Sequence, residues 1–366
     1  MANDPVSGPG GCSRRGFLRA CAWAAAAVGL PPGLAPRMAA AATAPDRPPV
    51  VWLHFQECTG CSGALLRASH PDVASLLLEV VSLDYHETLM AAAGHQAEEA
   101  LRHTLEADRG RYLLVVEGAI PTRDAGRFCR VGGKTALESL REAVEGAAAV
   151  VAVGTCASFG GIPALPPNPT GAAGVADVLP GAAVVNLPGC PPSPYNLLSV
   201  ILYYLTFGRL PDLDDRGRPR FAYDRVIHEH CERRPHFDAG RFARAFGDEG
   251  HRKGWCLYHL GCKGPITHAN CSVQGFNDLG LWPVGVGHPC VGCAAAGGFG
   301  LGVHDLAPIH AATPPDTYPP VPSGDRGAGP EPAAVGVLGA LTGAALGAGA
   351  VAARRLPDGE DGDAQG

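Results

Sequence analysis

Thirteen cysteines are the residues of this 366-residue sequence whose type and spacing could do chemistry. The number is high for an ordinary cytosolic enzyme, and the chain is too long for a small protein held together by disulfides. Many of these cysteines stand in Gly- and Pro-rich segments, in short-spaced pairs or close to histidines. Thiolates and imidazoles presented in that way bind metal ions or iron–sulfur clusters. The cysteine pattern therefore predicts a metal-binding protein.

A first set of four cysteines follows the ends of three predicted strands. Cys58 and Cys61 form a Cys-Thr-Gly-Cys motif after the first strand, and Cys156 and Cys190 each follow a later one. The carboxyl ends of parallel strands meet at one edge of a sheet, so we expect these thiols to converge. Four thiolates on such loops suit a [4Fe–4S] cluster. A CxxC pair alone would also suit zinc or a redox-active dithiol, and a lone buried cysteine would suit packing.

A second set combines one imidazole with three thiolates and lies after residue 220. His228 and Cys231 are separated by two residues, and Cys256 and Cys262 follow. By residue type this set is compatible with an iron–sulfur cluster and also with structural zinc. His230 is the alternative to His228 as the imidazole ligand.

A third set contains only cysteines, namely Cys271, Cys290 and Cys293. Three thiolates are enough for a [3Fe–4S] cluster. A fourth ligand such as His288 would instead allow zinc or [4Fe–4S]. Cys129 belongs to none of the three sets, and we expect it to be an ordinary thiol.

Short apolar runs alternate with amphipathic stretches from residue 50 onward and predict the elements that carry these residues. We predict buried strands at residues 50–55, 80–83, 112–116, 148–153 and 183–187. Helical patterns cover 91–106 and 135–145. This alternation predicts an α/β fold, a doubly wound parallel sheet with helices on both faces. The periodicity fades after about residue 221, so we predict one domain over 45–220 and a small irregular one over 221–307.

Length and composition limit the number of domains and the kinds of partner. At roughly 150 residues per domain, the length allows about two domains plus tails. Apolar residues make up 46% of the chain, which is enough for a sizeable core, and the net charge is −6. No basic stripe with interleaved aromatic residues occurs, so we expect no nucleic-acid partner.

The N-terminus carries the pair Arg14-Arg15, an apolar stretch over residues 20–30 and small residues up to a predicted cleavage region at 42–44. This pattern is typical of a twin-arginine signal, whose translocase exports proteins that are already folded. An amphipathic N-terminal helix is the alternative. We assign residues 1–44 to the signal peptide and expect the twin-arginine translocase to be a partner.

An uncharged, Gly- and Ala-rich run of 19 residues covers 335–353 near the C-terminus. As a helix it would be about 28 Å long, close to the bilayer core of about 30 Å. Arg354-Arg355 would hold the tail, residues 354–366, in the cytoplasm. Residues 308–334, rich in Pro and Gly, form a predicted linker. The pattern predicts a body on the outer, periplasmic face of the membrane with a C-terminal anchor, and an apolar linker is the alternative.

These motifs, taken together, make the sequence resemble the small subunit of the [NiFe] hydrogenases. The similarity extends over about residues 50–300 and keeps the family's order and spacing. The segments that carry it are residues 57–63, 117–121, 154–161, 188–192, 228–231, 255–265 and 287–293.

The resemblance implies a flavodoxin-like domain and three clusters. It implies a proximal [4Fe–4S] cluster on the proximal set: Cys58, Cys61, Cys156 and Cys190. It implies a distal [4Fe–4S] cluster on the distal set: His228, Cys231, Cys256 and Cys262. It implies a medial [3Fe–4S] cluster on the medial set: Cys271, Cys290 and Cys293. Pro283 would lie near the place of a fourth medial ligand.

Four positions are informative when this sequence is compared with the family pattern. Oxygen-tolerant members carry two additional cysteines at the proximal cluster, and the matching positions here are Gly60 and Gly161. The resemblance therefore implies an ordinary proximal cubane. His259 stands where acidic residues are common in the family. Glu57 lies beside a proximal ligand and is either part of a proton path or a solvated or ion-paired carboxylate.

The resemblance also implies a function. Dihydrogen would be split at a nickel–iron site in a separate large subunit, because the two CxxC pairs here match cluster motifs rather than nickel motifs. Electrons would pass through the three clusters to a membrane cytochrome b and on to quinone. Replacement of a thiolate by an imidazole removes a negative charge and should raise the distal potential.

Three other classes of protein are alternatives. The first is an exported, membrane-anchored zinc protein with a structural role. The second is a freestanding iron–sulfur electron carrier with no catalytic partner. The third is a component of the respiratory complex I kind, which shares a related cluster domain but would lack the export signal and the second domain.

Overall fold

The structure is a computed structural model, which describes residues 18, 21–22, 25–26, 30–42, 47–69, 81–276, 280–297 and 309. All of these lie in the first of two compact units, residues 1–314 and 315–366. The predicted membrane helix at 335–353 and the predicted tail at 354–366 lie outside the described residues, as does the predicted linker except for residue 309. In the described part of the chain, no helix is both long and apolar enough to cross a bilayer.

A five-stranded parallel sheet forms the centre of the fold. Its strands are β1 (Pro49–His54), β2 (Ser82–His86), β3 (Leu113–Glu117), β7 (Ala149–Val153) and β9 (Val184–Leu187). The small strands β4 (Ile120–Pro121) and β8 (Ala172–Ala173) pair with each other, as do β5 (Arg130–Val131) and β6 (Lys134–Thr135). The spatial order of the central sheet is β2-β1-β3-β7-β9. Relabelled by position in the chain, these strands follow the order 2-1-3-4-5 of flavodoxin-like folds, which confirms the predicted fold class.

The five predicted strands are all present. Strands β1, β3 and β7 are buried at every position because helices cover both faces of a parallel sheet, and their sequences are correspondingly rich in Val and Leu. The largest difference is at β2, which was predicted at 80–83 and runs over Ser82–His86. This strand lies at the sheet edge, where polar residues such as Asp84 fit, so a prediction based on apolar runs ends too early.

Helices connect and cover the strands. Their bounds are α1 (Ala35–Ala42), α2 (Gly60–Leu65), α3 (His95–Ala107), α4 (Ala136–Val144), α5 (Gly154–Phe159), α6 (Val175–Val178) and α7 (Pro194–Phe207). Both predicted helices correspond to α3 and α4. Helix α4 begins with a capping box in which Thr135 and Glu138 exchange hydrogen bonds, which satisfies donors that the first turn leaves free.

Helix α1 lies within the predicted signal peptide and packs on α7. Met38 is completely buried there, and the guanidinium of Arg37 lies 5.5 Å from the centre of the Phe207 ring. Helix α7 is apolar along nearly all of its length, since it contacts the sheet on one side and α1 on another.

From Arg220 onward, the described residues contain short helices and turns. The α-helices are α8 (Arg220–Tyr223), α9 (Arg234–Asp238), α10 (Glu249–Arg252) and α11 (Cys271–Gln274). The 3₁₀ helices of this part are Ile227–His230, Tyr258–Leu260 and Gly264–Ile266. Those of the preceding part are Pro32–Leu34, Arg123–Gly126 and Ile162–Ala164. The region has little regular structure of its own, as the loss of periodicity predicted.

Candidate functional site

The proximal set lies at the carboxyl edge of the sheet. Cys58 and Cys61 stand in the turn from β1 into α2, Cys156 lies on α5 after β7, and Cys190 follows β9. Burial raises the pKa of Cys61 well above its usual value, and the charges of Glu117 and the other three thiols raise it further. The four thiols are therefore close enough to interact electrostatically, although they come from three separate loops.

Three glycines border the proximal set and leave room beside its sulfurs. A Cβ placed on Gly154 would lie 2.5 Å from the sulfur of Cys61, and one on Gly161 would lie 2.7 Å from that of Cys156. A Cβ on Gly60 would lie 3.1 Å from the sulfur of Cys58. No side chain other than hydrogen fits at Gly154 or Gly161 without displacing a thiol. The space beside the sulfurs is thus free for an inorganic group.

Glu117, at the carboxyl end of β3, holds the turn that carries Cys58 and Cys61. Its side chain is 1% exposed. One oxygen accepts the backbone N–H of Cys61 at 2.9 Å. The other accepts the backbone N–H of Ser62 at 3.1 Å, its hydroxyl at 2.6 Å and the Trp52 indole N–H at 3.2 Å. Sequence reasoning recognised Glu117 only as part of a family motif and did not assign it this role.

Glu57 belongs to a largely buried hydrogen-bonded network and not to the solvated surface. Its Oε1 lies 3.3 Å from Nδ1 of His54 and accepts the Thr59 hydroxyl at 3.2 Å. Ligand atoms of His54, Glu57 and Glu117 lie within 4.8 Å of one another, a spacing that a metal ion could bridge. A metal would have to displace the four hydrogen bonds that Glu117 already accepts, so we interpret the group as a hydrogen-bonded network.

The distal set lines one pocket. His228, Cys231, Cys256 and Cys262 all border a space of about 290 Å³ that is partly open to solvent. The alternative imidazole, His230, is exposed and lies 2.8 Å from a guanidinium nitrogen of Arg225, outside this lining. Burial lowers the pKa of His228, which favours the neutral imidazole that a metal binds.

Burial raises the pKa of the distal thiols, to about 11 for Cys231 and about 12 for Cys256. Bringing their thiolates together requires positive charge nearby, and bound metal supplies it. Arg233, itself 8% exposed, contributes a further positive charge, and its backbone N–H donates to the sulfur of Cys231 at 3.4 Å.

The medial set lies in a largely buried part of the structure. Burial raises the pKa of both Cys271 and Cys293 to about 12. Cys290 is 6% exposed, and its backbone N–H donates to the sulfur of Cys262 in the distal set at 3.4 Å. His288 is exposed and its Nδ1 lies 2.8 Å from the carbonyl oxygen of Pro289, a contact on the surface side of the turn.

Sulfur spacing separates single metal ions from clusters. In a tetrahedral zinc site the sulfurs lie about 3.8 Å apart, because each Zn–S bond is about 2.3 Å long. Among the described residues, the group of three candidate ligands found within 4.8 Å is His54, Glu57 and Glu117, which includes no cysteine. None of the described cysteines forms a disulfide. No three ligand atoms of any one set therefore lie as close together as a single zinc ion would require, and this spacing is compatible with clusters in which each iron binds one thiolate.

Comparisons with known proteins show which family the chain is similar to. The family described as NADH ubiquinone oxidoreductase, 20 Kd subunit, matches residues 58–204, and the family of the C-terminal part of the NiFe/NiFeSe hydrogenase small subunit matches residues 223–300. The chain is 52% identical to the Hydrogenase-2 small chain of Escherichia coli K12, over 94% of this chain and 93% of that protein.

Two further proteins are similar. The quinone-reactive Ni/Fe-hydrogenase small chain of Wolinella succinogenes is 48% identical over 78% of this chain and 80% of that one. The structure of a reduced, active Ni-Fe-Se hydrogenase from Desulfomicrobium baculatum superposes with a TM-score of 0.66 at 36% identity, over 72% of this chain and all of the other.

Proposed function

The chain belongs to the family of [NiFe] hydrogenase small subunits, and from that premise we propose that it carries electrons from H2 oxidation in a nickel-bearing large subunit through three iron–sulfur clusters. The family works as part of heteromeric hydrogenases, and its small subunits hold iron–sulfur clusters. We assign a [4Fe–4S] cluster to the proximal set, a [3Fe–4S] cluster to the medial set and a [4Fe–4S] cluster to the distal set. The observation that carries this proposal is that eleven candidate ligands from distant parts of the chain group into three sets, within each of which the ligand atoms lie farther apart than a single metal ion would require.

The clusters, when bound, accept and release one electron at a time. The chain's own groups hold them and set their potentials. Backbone N–H groups donate to ligand sulfurs, as from Arg233 to Cys231 and from Gly292 to Cys290, and such donors favour the reduced, more negative state. The hydrogen bond from Cys290 to Cys262 joins the medial set to the distal set.

The proximal set faces the surface, where a partner can approach. Cys58 and Cys190 are exposed. Ile162, whose backbone hydrogen-bonds the thiol of Cys156, has an apolar side chain that is 53% exposed. We propose that this edge of the sheet is covered by the large subunit, which thereby removes the proximal set from water.

The acceptor and location follow from the sequence pattern and one relative. We propose that the twin-arginine translocase exports the folded chain, that residues 335–353 anchor it to the membrane, and that a cytochrome b passes its electrons to quinone. The name of the Wolinella succinogenes relative describes a quinone-reactive enzyme.

Metal analysis and EPR on the purified native complex test the proposal. We expect iron, acid-labile sulfide, a nickel-containing larger chain, a [3Fe–4S] signal in the oxidised sample and [4Fe–4S] signals on reduction. Zinc without sulfide would instead support the structural zinc protein. Clusters without a nickel-bearing partner would support the freestanding carrier.

Replacement of His228 by Cys tests the distal assignment. A fourth thiolate adds one negative charge, so we expect the distal potential to fall by on the order of 100 mV. Slower electron delivery to the acceptor should follow. His230→Cys, two residues away on the exposed side, is the matched control and should leave the potential unchanged. An equal response of the two variants in redox-titrated EPR would contradict His228 as the ligand.

A further inference from the structure

Thr155 joins the loops of two different sets. It precedes Cys156 on α5 and is 3% exposed. Its hydroxyl donates to the carbonyl oxygen of Cys293 at 2.5 Å and accepts the backbone N–H of Gly189 at 2.8 Å. Its backbone N–H donates to the carbonyl oxygen of Gly189 at 2.9 Å. One residue thus contacts the proximal loop twice and the medial loop once.

The Gly189–Cys190 peptide is held on both sides. Its carbonyl oxygen accepts the backbone N–H of Thr155, and its own N–H, which belongs to the proximal ligand Cys190, donates to the sulfur of the medial ligand Cys293. Gly189 has a φ of +151°, and a Cβ there would lie 2.6 Å from the Cα of Pro192, so no other residue allows this loop geometry. A single peptide therefore connects a proximal ligand with a medial sulfur.

We propose that Thr155 is a positioning residue for electron transfer between the proximal and medial clusters, because its hydroxyl ties the Gly189 N–H, next to the proximal ligand Cys190, to the carbonyl oxygen of the medial ligand Cys293. This inference rests on the proposed function. In the step concerned, the reduced proximal cluster loses one electron and the oxidised medial cluster gains it, and no bond forms or breaks. Thr155 exchanges no electron itself.

The hydroxyl is the essential group in this arrangement. It acts as donor and acceptor at once, so an isosteric Val would lose both side-chain hydrogen bonds while keeping the shape. Ser would keep both bonds and lose only a methyl group. Loss of these two bonds would separate the Gly189 N–H from the Cys293 carbonyl oxygen and leave the proximal loop tied to Thr155 by its backbone alone. The medial loop would then be less firmly placed against the Cys190 N–H. A weaker N–H···S contact shifts the medial cluster toward a more negative potential, because donors to sulfur favour the reduced state.

The test uses Thr155→Val, Thr155→Ser and the control Ser158→Ala in the purified native complex. Ser158 lies on the same helix, is 2% exposed and donates to the carbonyl oxygen of Ala152, away from both loops. Redox-titrated EPR gives the medial potential, and freeze-quench EPR after mixing with H2 gives the rate of medial reduction. For Thr155→Val we expect a more negative medial potential and reduction at least about tenfold slower. The Ser variant and the control should match the native complex.

Each outcome decides the question. If Thr155→Val has full iron and sulfide content and shows the same medial potential and the same rate of medial reduction as the native complex, the inference is overturned and the proposed function is left intact. If Thr155→Val fails to load the medial cluster, restoration by Thr155→Ser supports the hydroxyl, and failure of Ser as well assigns the role to packing of the methyl group. Absence of iron and sulfide from the native complex would sink the proposed function itself.

Discussion

Replacement of Cys271 by Ala is expected to stop electron delivery to the acceptor while hydrogen activation continues in the large subunit. Cys271 lies on α11 and belongs to the medial set, and burial raises its pKa to about 12. Without it the medial cluster loses one of only three thiolates. Loss of a group that only hydrogen-bonds a metal ligand already lowers metal affinity or activity by about 10- to 100-fold. Since Cys271 would be a ligand itself, we expect H2-dependent acceptor reduction to fall by at least about 100-fold. Exchange between D2 and water protons needs no electron to leave, so it should persist.

Ser272→Ala is the matched control for this variant. Its hydroxyl is buried and finds no hydrogen-bond partner within the described part of the chain. Removing that hydroxyl should therefore leave both activities at the native level. Loss of D2 exchange together with acceptor reduction in Cys271→Ala would show that the variant damages the whole complex, and retention of both would contradict a medial role for Cys271.

Replacement of Glu117 by Ala is expected to destroy the proximal site and lower stability. Four donors would remain buried without an acceptor: the backbone N–H groups of Cys61 and Ser62, the Ser62 hydroxyl and the Trp52 indole N–H. Each such group costs about 1–3 kcal/mol, so the free energy of unfolding should fall by several kcal/mol. The turn that carries Cys58 and Cys61 would lose its anchor. Iron and sulfide content should drop by the amount of one cluster.

Two variants make the Glu117 result specific. Glu117→Gln keeps the shape of the side chain, but its NH2 group replaces an oxygen that accepts hydrogen bonds and so faces another donor. We therefore expect the free energy of unfolding to fall by less than in Glu117→Ala. Glu87→Gln is the control: Glu87 accepts a weaker bond of 3.3 Å from the His54 backbone, and burial already raises its pKa. If Glu117→Ala keeps its full iron and sulfide content and unfolds at the native temperature, the turn that carries Cys58 and Cys61 does not depend on this carboxylate.

The cysteines and the histidine proposed as ligands stand out in the sequence because their types are rare and their loops have recognisable spacing. Predicting the sheet was possible because buried parallel strands are continuous apolar runs, and only β2, at the edge, departed from that rule. Glu117 and Thr155 could not be assigned roles in the same way. Glu and Thr are common residues, and the partners that give these two their roles are distant in the chain.

The sequence by itself determined the α/β fold and the family and predicted the three ligand sets, since each depends on residue type and local spacing. Only the tertiary structure decided which imidazole faces the distal pocket and which groups join the sets. Those contacts connect Cys61 with Glu117, 56 positions apart, and Thr155 with Cys293, 138 positions apart. The physical reason is that a hydrogen bond depends on where the folded backbone brings its two atoms, and no local pattern records that distance.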